Sequence, residues 1–158
     1  MAPATFHYEQ NEAFEELASG ENAIFGSNTR LLVFAASVGF ARDHMVENYE
    51  ESGEMRWNYI GQDQRLAVIS GALAYSHTKD EESIVDPDVQ IDVLTKYGAG
   101  GARIIKREVV DEPGDNLDNL VTFLEDHRDT EDASGRVGVL EQIEKEVSSL
   151  SPPDSSES

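Results

Sequence analysis

The sequence contains no cysteine and few basic residues. Without cysteine, disulfide bonds, thiolate nucleophiles and cysteine-ligated zinc sites are all excluded. The chain has 12 Lys and Arg against 32 Asp and Glu, which gives a formal net charge of −20. The acidic residues are spread along the chain rather than gathered in one tail, as is typical of proteins that stay soluble in molar salt. We therefore expect a halophilic, cytoplasmic protein; a functional role for the acidity, towards a basic partner or as a nucleic-acid mimic, is the alternative.

Long apolar runs are also absent, with one exception. Leu31 to Phe40 form ten residues without a charge, and they are apolar on every side. This pattern indicates a helix that is buried all round. The run is too short to cross a bilayer, which needs about 20 apolar residues. The N-terminus lacks the basic flank and apolar stretch of a signal peptide. We therefore predict no membrane association.

The remaining periodicity predicts a mainly α fold, a compact single-domain helical bundle around the buried helix at about 30–42. Ser27 or Asn28 is the expected cap of that helix, and Gly39 within it indicates close packing against another backbone. An alternating pattern predicts a short extended segment at 55–60. The other helices are predicted at 7–18, 62–77, 87–97 and about 117–127.

Four regions follow from the changes in composition along the chain. They are a helical core domain at 1–127, an acidic linker at 128–136, an amphipathic helix at 137–150 and a disordered tail at 151–158. The amphipathic helix must place its apolar side on its own domain or on another protein. This candidate partner helix presents Leu140, Ile143, Val147 and Leu150.

Known catalytic patterns are missing from the sequence. It has no phosphate-binding loop, no nucleophile elbow and no zinc-deaminase signature. Its four histidines fall on different predicted elements and never at helical ligand spacing. We therefore expect no catalytic residue, no cofactor and no metal, and an enzymatic function has no support at this stage.

The densest basic cluster lies at Gly98 to Arg107. The glycines are interpreted as a turn that ends one helix at Tyr97, before a second element begins at 102–110. Glycines before a helix let backbone N–H groups approach a phosphate. The three cations of the cluster, Arg103, Lys106 and Arg107, would share one face of the following helix. Alternatively, Gly98 is a helix C-cap and the cations pair with Glu108, Asp111 and Glu112. The candidate nucleic-acid or partner contacts are Tyr97, Gly100, Gly101, Arg103, Lys106 and Arg107.

The order of these features resembles a known family, the small "dnd system-associated" proteins, encoded beside genes for DNA phosphorothioation and the restriction machinery that depends on it. The resemblance covers roughly Phe14 to Ile105; the acidic coat, the extra Gly98 and the chain beyond about Asp126 depart from it. The features that carry it are Phe25 with Ser27, the run Leu31 to Phe40, the aromatic-rich piece Trp57 to Ile60, the helix Leu66 to Tyr75, and Tyr97-x-x-Gly100-Gly101.

The resemblance implies a non-enzymatic accessory or adaptor component of a DNA phosphorothioation-linked antiviral restriction-modification system. Its partners would be other proteins of the same defence system, with DNA contacted directly or through a partner. It supplies no catalytic residues to carry over. Two alternatives stay open: a direct DNA-binding module that uses Gly98 to Arg107, and an acidic protein that occupies a basic DNA-binding partner.

Overall fold

The centre of the fold is a helix whose apolar run is buried along its whole length. A computed structural model describes residues 4–19 and 23–129, with side chains of the last helix described as far as residue 126. The two strands are β1 (Thr5–Tyr8) and β2 (Gly53–Arg56). The α-helices are α1 (Glu12–Ala18), α2 (Asn28–Ala41), α3 (Asn58–Gly61), α4 (Gln64–Thr78), α5 (Pro87–Ile105) and α6 (Asn116–Asp129).

Helix α2 is the predicted central helix. Every residue from Leu31 to Phe40 is buried. The helix begins where Ser27 Oγ accepts a hydrogen bond from the backbone N–H of Arg30 at 3.2 Å, which satisfies one of the unpaired donors of the first turn. Of the two residues expected to cap the helix, Ser27 does so, and the predicted burial is confirmed.

Helix α5 packs along α2 with the two backbones in contact. A Cβ atom built on Gly101 would lie 1.6 Å from the carbonyl oxygen of Ala35, and one built on Gly39 would lie 2.1 Å from the carbonyl oxygen of Tyr97. No side chain fits at either position unless a backbone moves. The expectation that Gly39 packs against another backbone is therefore confirmed, and α5 supplies that backbone.

The prediction that the glycines at 98–101 end a helix is wrong. Helix α5 begins at Pro87, after Asp86 Oδ1 accepts a hydrogen bond from the backbone N–H of Asp88 at 3.1 Å. It then continues through Tyr97 and the glycines to Ile105. A mid-helix glycine costs about 1 kcal/mol relative to alanine, and here the close contact with α2 offsets that cost. Gly98 is therefore not a helix C-cap.

The N-terminal residues form a strand where a helix was expected. Phe6 and Tyr8 are buried and His7 is exposed, because β1 pairs antiparallel with β2 and places Phe6 opposite Met55. The helix predicted from residue 7 therefore starts only at Glu12, where Asn11 caps it. The extended segment predicted at 55–60 is shifted as well, since the strand ends at Arg56 and α3 follows.

Most of the remaining elements contact α2 or α5. A 3-10 segment, Glu81–Val85, packs on α4, and a π-helical segment, Lys106–Val110, continues α5 towards α6. Helix α6 corresponds to the helix predicted at about 117–127. Residues 128 and 129 of the predicted linker belong to the end of α6. The described residues do not include the rest of that linker, the amphipathic helix predicted at 137–150 or the tail predicted at 151–158.

These elements confirm a mainly α compact domain with one small two-stranded sheet. Within residues 4–19 and 23–129, no helix has the combination of length and hydropathy needed to traverse a bilayer.

The backbone contact between α2 and α5 leads to a testable difference between two glycines of one helix. At Gly101 an added methyl group meets the Ala35 carbonyl, whereas at Gly98 it meets the Cδ1 methyl of Leu32 at 2.6 Å, the end of a side chain that can move. Gly101→Ala should lower the free energy of unfolding by about 1 to 3 kcal/mol. Gly98→Ala gains the same helix propensity and should stay within about 1 kcal/mol of wild type.

Chemical denaturation of both variants at one fixed salt concentration measures this difference. Equal stability of the two variants would contradict the close approach of the backbones at Gly101.

Candidate functional site

The structure separates the predicted contact residues into a buried set and an exposed set. Tyr97, Gly100 and Gly101 are buried in α5. The Tyr97 hydroxyl lies 3.1 Å from Nδ1 of His77, and a Cβ on Gly100 would lie 1.9 Å from the carbonyl oxygen of His44. These three residues pack the interior and offer no surface on which DNA or a protein could lie.

Arg103 lies near the C-terminal end of α5, beside the residues that follow β1. Its Nε and Nη2 donate hydrogen bonds to the two carboxylate oxygens of Glu9 at 2.7 and 2.8 Å. Glu9 also accepts a hydrogen bond from the backbone N–H of Glu50 at 2.9 Å. The Glu9 side chain is 8% exposed and that of Arg103 is 46% exposed. This bidentate pair therefore ties α5, the end of β1 and the loop before β2 together.

Lys106 and Arg107 lie in the π-helical segment and also contact carboxylates of this chain. Lys106 Nζ lies 2.9 Å from Asp111 Oδ2 and 3.4 Å from Glu12 Oε1. Arg107 Nη2 lies 3.2 Å from Glu108 Oε2. Of the three carboxylates expected to pair with the cluster, Asp111 and Glu108 do so, whereas Arg103 pairs with Glu9 instead.

The ion pairs change the protonation equilibria of their members. The hydrogen bond from Arg103 holds the pKa of Glu9 below its ordinary value, against the opposing effect of burial. The hydrogen bond to Glu9 raises the pKa of Arg103, and the one to Asp111 raises the pKa of Lys106. All three groups are therefore held in their charged forms, and the charges of the predicted cluster are compensated within the chain.

Metal chemistry has no preformed site in the part of the chain that the structure describes. No group of three or more His, Asp or Glu side chains in it is arranged to hold a metal ion. His7 in β1, His44 in the loop after α2 and His77 in α4 are all exposed.

A groove between α1 and α6 was not foreseen from the sequence. It has a volume of about 920 Å³. The described residues that line it are Glu15, Glu16, Ser19, Ala23, Ile24, Val110, Gly114, Asp115, Asn116 and Leu117. No periodicity could have indicated it, because its two walls are far apart in the chain. The clearest structural indication of the groove is Leu117, an apolar residue that lines it and is 51% exposed.

Exposed apolar side chains also gather on α3, α4 and the 3-10 segment. Val68 is 66% exposed and Val85 is 78% exposed. Others in these elements are Tyr59, Tyr75 and Ile84. The predicted partner helix, with Leu140, Ile143, Val147 and Leu150, lies outside the described residues.

The Glu9–Arg103 pair generates a pH-dependent prediction. Because the pKa of Glu9 is lowered by folding, its contribution to stability is present above the unfolded-state pKa, about 4.3, and is lost as the pH falls through the lower folded-state value. Glu9→Gln should reduce the free energy of unfolding at neutral pH by about 1 to 2 kcal/mol, at the low end for charged hydrogen bonds since Arg103 is half exposed.

The difference between Glu9→Gln and wild type should shrink in denaturation curves measured below the ordinary pKa of a glutamate. Glu12→Gln removes only the more distant of the two carboxylates at Lys106, so it is the matched control and should lower the stability much less than Glu9→Gln does. A Glu9→Gln deficit that stays constant down to acid pH would contradict the assigned role of the carboxylate.

Comparison with known proteins places the chain in a family. The family model described as "DNA sulphur modification system-associated protein 4" matches residues 6–142, from β1 through all the described helices. No curated protein and no solved structure matches the chain. The match covers most of the sequence and agrees with the family that the sequence resembles, so the chain belongs to the DNA sulphur modification system-associated protein 4 family.

Proposed function

We propose that this protein is a non-enzymatic adaptor of its DNA sulphur modification system, and that it acts by binding another protein of that system. In this proposal the system is the phosphorothioation-linked antiviral restriction-modification machinery implied by the resemblance. The protein works in the cytoplasm, and its dispersed negative charge is an adaptation to high salt.

One observation carries the proposal: the cations of the densest basic cluster are already bound by carboxylates of the same chain. Arg103 contacts Glu9 at 2.7 Å and Lys106 contacts Asp111 at 2.9 Å. Binding a DNA phosphate through the paired nitrogen atoms would require these contacts to break, and high salt would weaken any contact between these cations and a phosphate. Attachment to DNA through a protein partner avoids both costs.

The second candidate function is that of an acidic protein that occupies a basic DNA-binding partner. It is favoured by the groove between α1 and α6, whose lining includes the carboxylates of Glu15, Glu16 and Asp115 and no Lys or Arg among the described residues. This candidate shares the protein partner with the adaptor proposal and differs in the effect, which would be to displace DNA.

The adaptor proposal predicts a stable complex in solution. Full-length protein, mixed with each purified protein of its DNA sulphur modification system at the salt of its own cytoplasm, should co-elute with one of them in size-exclusion chromatography. If the apolar side of 137–150 contributes to the contact, Leu140→Asp with Ile143→Asp should reduce co-elution. Ser148→Asp with Ser149→Asp adds the same charge off that apolar side and should not.

Elution of the wild-type chain alone, in the presence of every protein of the system, would contradict the adaptor role. If both double variants co-elute with the partner equally well, residues 137–150 do not contribute to the contact, and the adaptor role stands.

Direct binding to DNA is the outcome that the ion pairs argue against. A mobility-shift assay with duplex DNA, over a range of salt concentrations, should give no shift for the wild-type protein. Arg107→Glu, at the most exposed cation of the cluster, should behave like wild type, as should Arg56→Glu on β2. A salt-dependent shift that Arg107→Glu abolishes and Arg56→Glu leaves intact would instead assign DNA binding to the cluster.

A further inference from the structure

We propose that the groove between α1 and α6 is the docking site for a basic amphipathic segment of a partner protein. The proposal rests on the proposed function, because it names where the partner binds and what chemistry the partner presents. The groove volume of about 920 Å³ accommodates a few side chains of a peptide or helix rather than a folded domain.

The apolar part of the groove supplies anchoring surface. Leu117 projects from the first turns of α6 with 51% of its surface exposed, and Ile24 and Val110 line the groove beside it while packing partly against the core. Burying the exposed half of the Leu117 side chain against an apolar partner removes apolar surface from water and therefore stabilises a complex. A bound segment therefore needs at least one apolar side chain directed at Leu117.

The charged part of the groove lacks a cation among the described residues, although two of its three carboxylates accept hydrogen bonds from α6. Glu15, Glu16 and Asp115 have no Lys or Arg partner there, whereas Glu9 and Glu12 on the same side of the chain each contact a cation. Three carboxylates around one opening repel one another and attract cations. A Lys or Arg on the bound segment would relieve that repulsion.

The walls of the groove are held in place before any partner arrives. Asn116 Nδ2 donates a hydrogen bond to Glu16 Oε1 at 3.3 Å, which links α6 to α1. Asn119 Nδ2 donates to the carbonyl oxygens of Val109 and Glu112, each at 3.1 Å, and so fixes the turn that carries Asp115. A preformed groove loses less conformational entropy on binding than a mobile surface does.

Charge also excludes two other occupants. The chain's own segment 137–150 carries Glu141, Glu144 and Glu146 against Lys145, so the rim of the groove would repel it. A second copy that docked through the same groove would bring an identical set of carboxylates into contact with this rim. The groove therefore favours a segment of opposite charge from a different protein.

The test measures binding of the partner that co-elutes with the wild-type chain, by titration calorimetry with full-length proteins. Glu15→Lys with Glu16→Gln should weaken binding about tenfold, since one attractive contact becomes repulsive and another is lost. The amide oxygen introduced at position 16 can still accept the hydrogen bond from Asn116, so the link between α1 and α6 is kept. Glu81→Lys with Glu82→Lys reverses two adjacent exposed carboxylates that do not line the groove, and should leave the affinity unchanged.

A second pair of variants separates the apolar contact from the charge. Leu117→Asp should also weaken binding about tenfold. Val121→Asp alters an apolar residue of similar exposure, 44%, one turn further along α6 and outside the lining, and should have little effect. Both side chains are exposed, so circular dichroism and thermal unfolding should match wild type and exclude unfolding as the cause.

The outcomes distinguish the two proposals. If the partner binds wild type and the groove variants equally well, the groove assignment is overturned while the adaptor function stands. If no protein of the system binds wild type, the adaptor function is contradicted, and so is the groove assignment that depends on it. Overlapping peptides of the partner give the last arm: a basic amphipathic peptide should bind wild type and not Leu117→Asp, and binding confined to acidic peptides would overturn the inference.

Discussion

The contact between the backbones of α2 and α5 is the constraint on which the rest of the structure depends. A helix that is apolar on every side must be covered on every side, and side-chain packing alone would keep its neighbour about 8 to 10 Å away. Glycines at Gly39 and Gly101 remove the side chains from the contact, so that the Ala35 and Tyr97 carbonyls lie where a Cβ atom would otherwise be. The close approach gives many dispersion contacts, which offset the low helix propensity of glycine.

The same contact determines where the charges meet. Because α5 runs straight past α2 instead of turning at Gly98, its last turns reach the region where β1 passes into α1. Arg103 there meets Glu9, and Lys106 in the following π-helical segment meets Glu12. The cations that looked like a ligand-binding cluster in the sequence therefore connect the N-terminal elements to the helical core. Their role in the fold follows from the path of α5.

Local signals were sufficient for part of this structure. The burial of α2, its Ser27 cap and the start of α5 at Pro87 depend on residues close together in the chain, and the sequence predicted all of them. Gly100 and Gly101 could not be interpreted in the same way, because glycine is equally suited to a turn and to a close contact between helices. Only the position of α2 decides between the two. Strand β1 and the α1–α6 groove depend on partners far along the chain, and no local pattern encodes those.

The distribution of charge also explains how specific contacts can persist on so acidic a surface. At molar salt the Debye length is about 3 Å, so repulsion between distant carboxylates is largely screened. The Glu9–Arg103 contacts, at 2.7 and 2.8 Å, lie within that length and are partly shielded from water, so they keep most of their strength. A cation of a bound segment would be strongly attracted to Glu15 or Asp115 only when it contacts the carboxylate directly. At high salt, the carboxylates of the proposed docking groove would therefore select a partner only at contact, and exposed apolar surface such as Leu117 would supply most of the affinity.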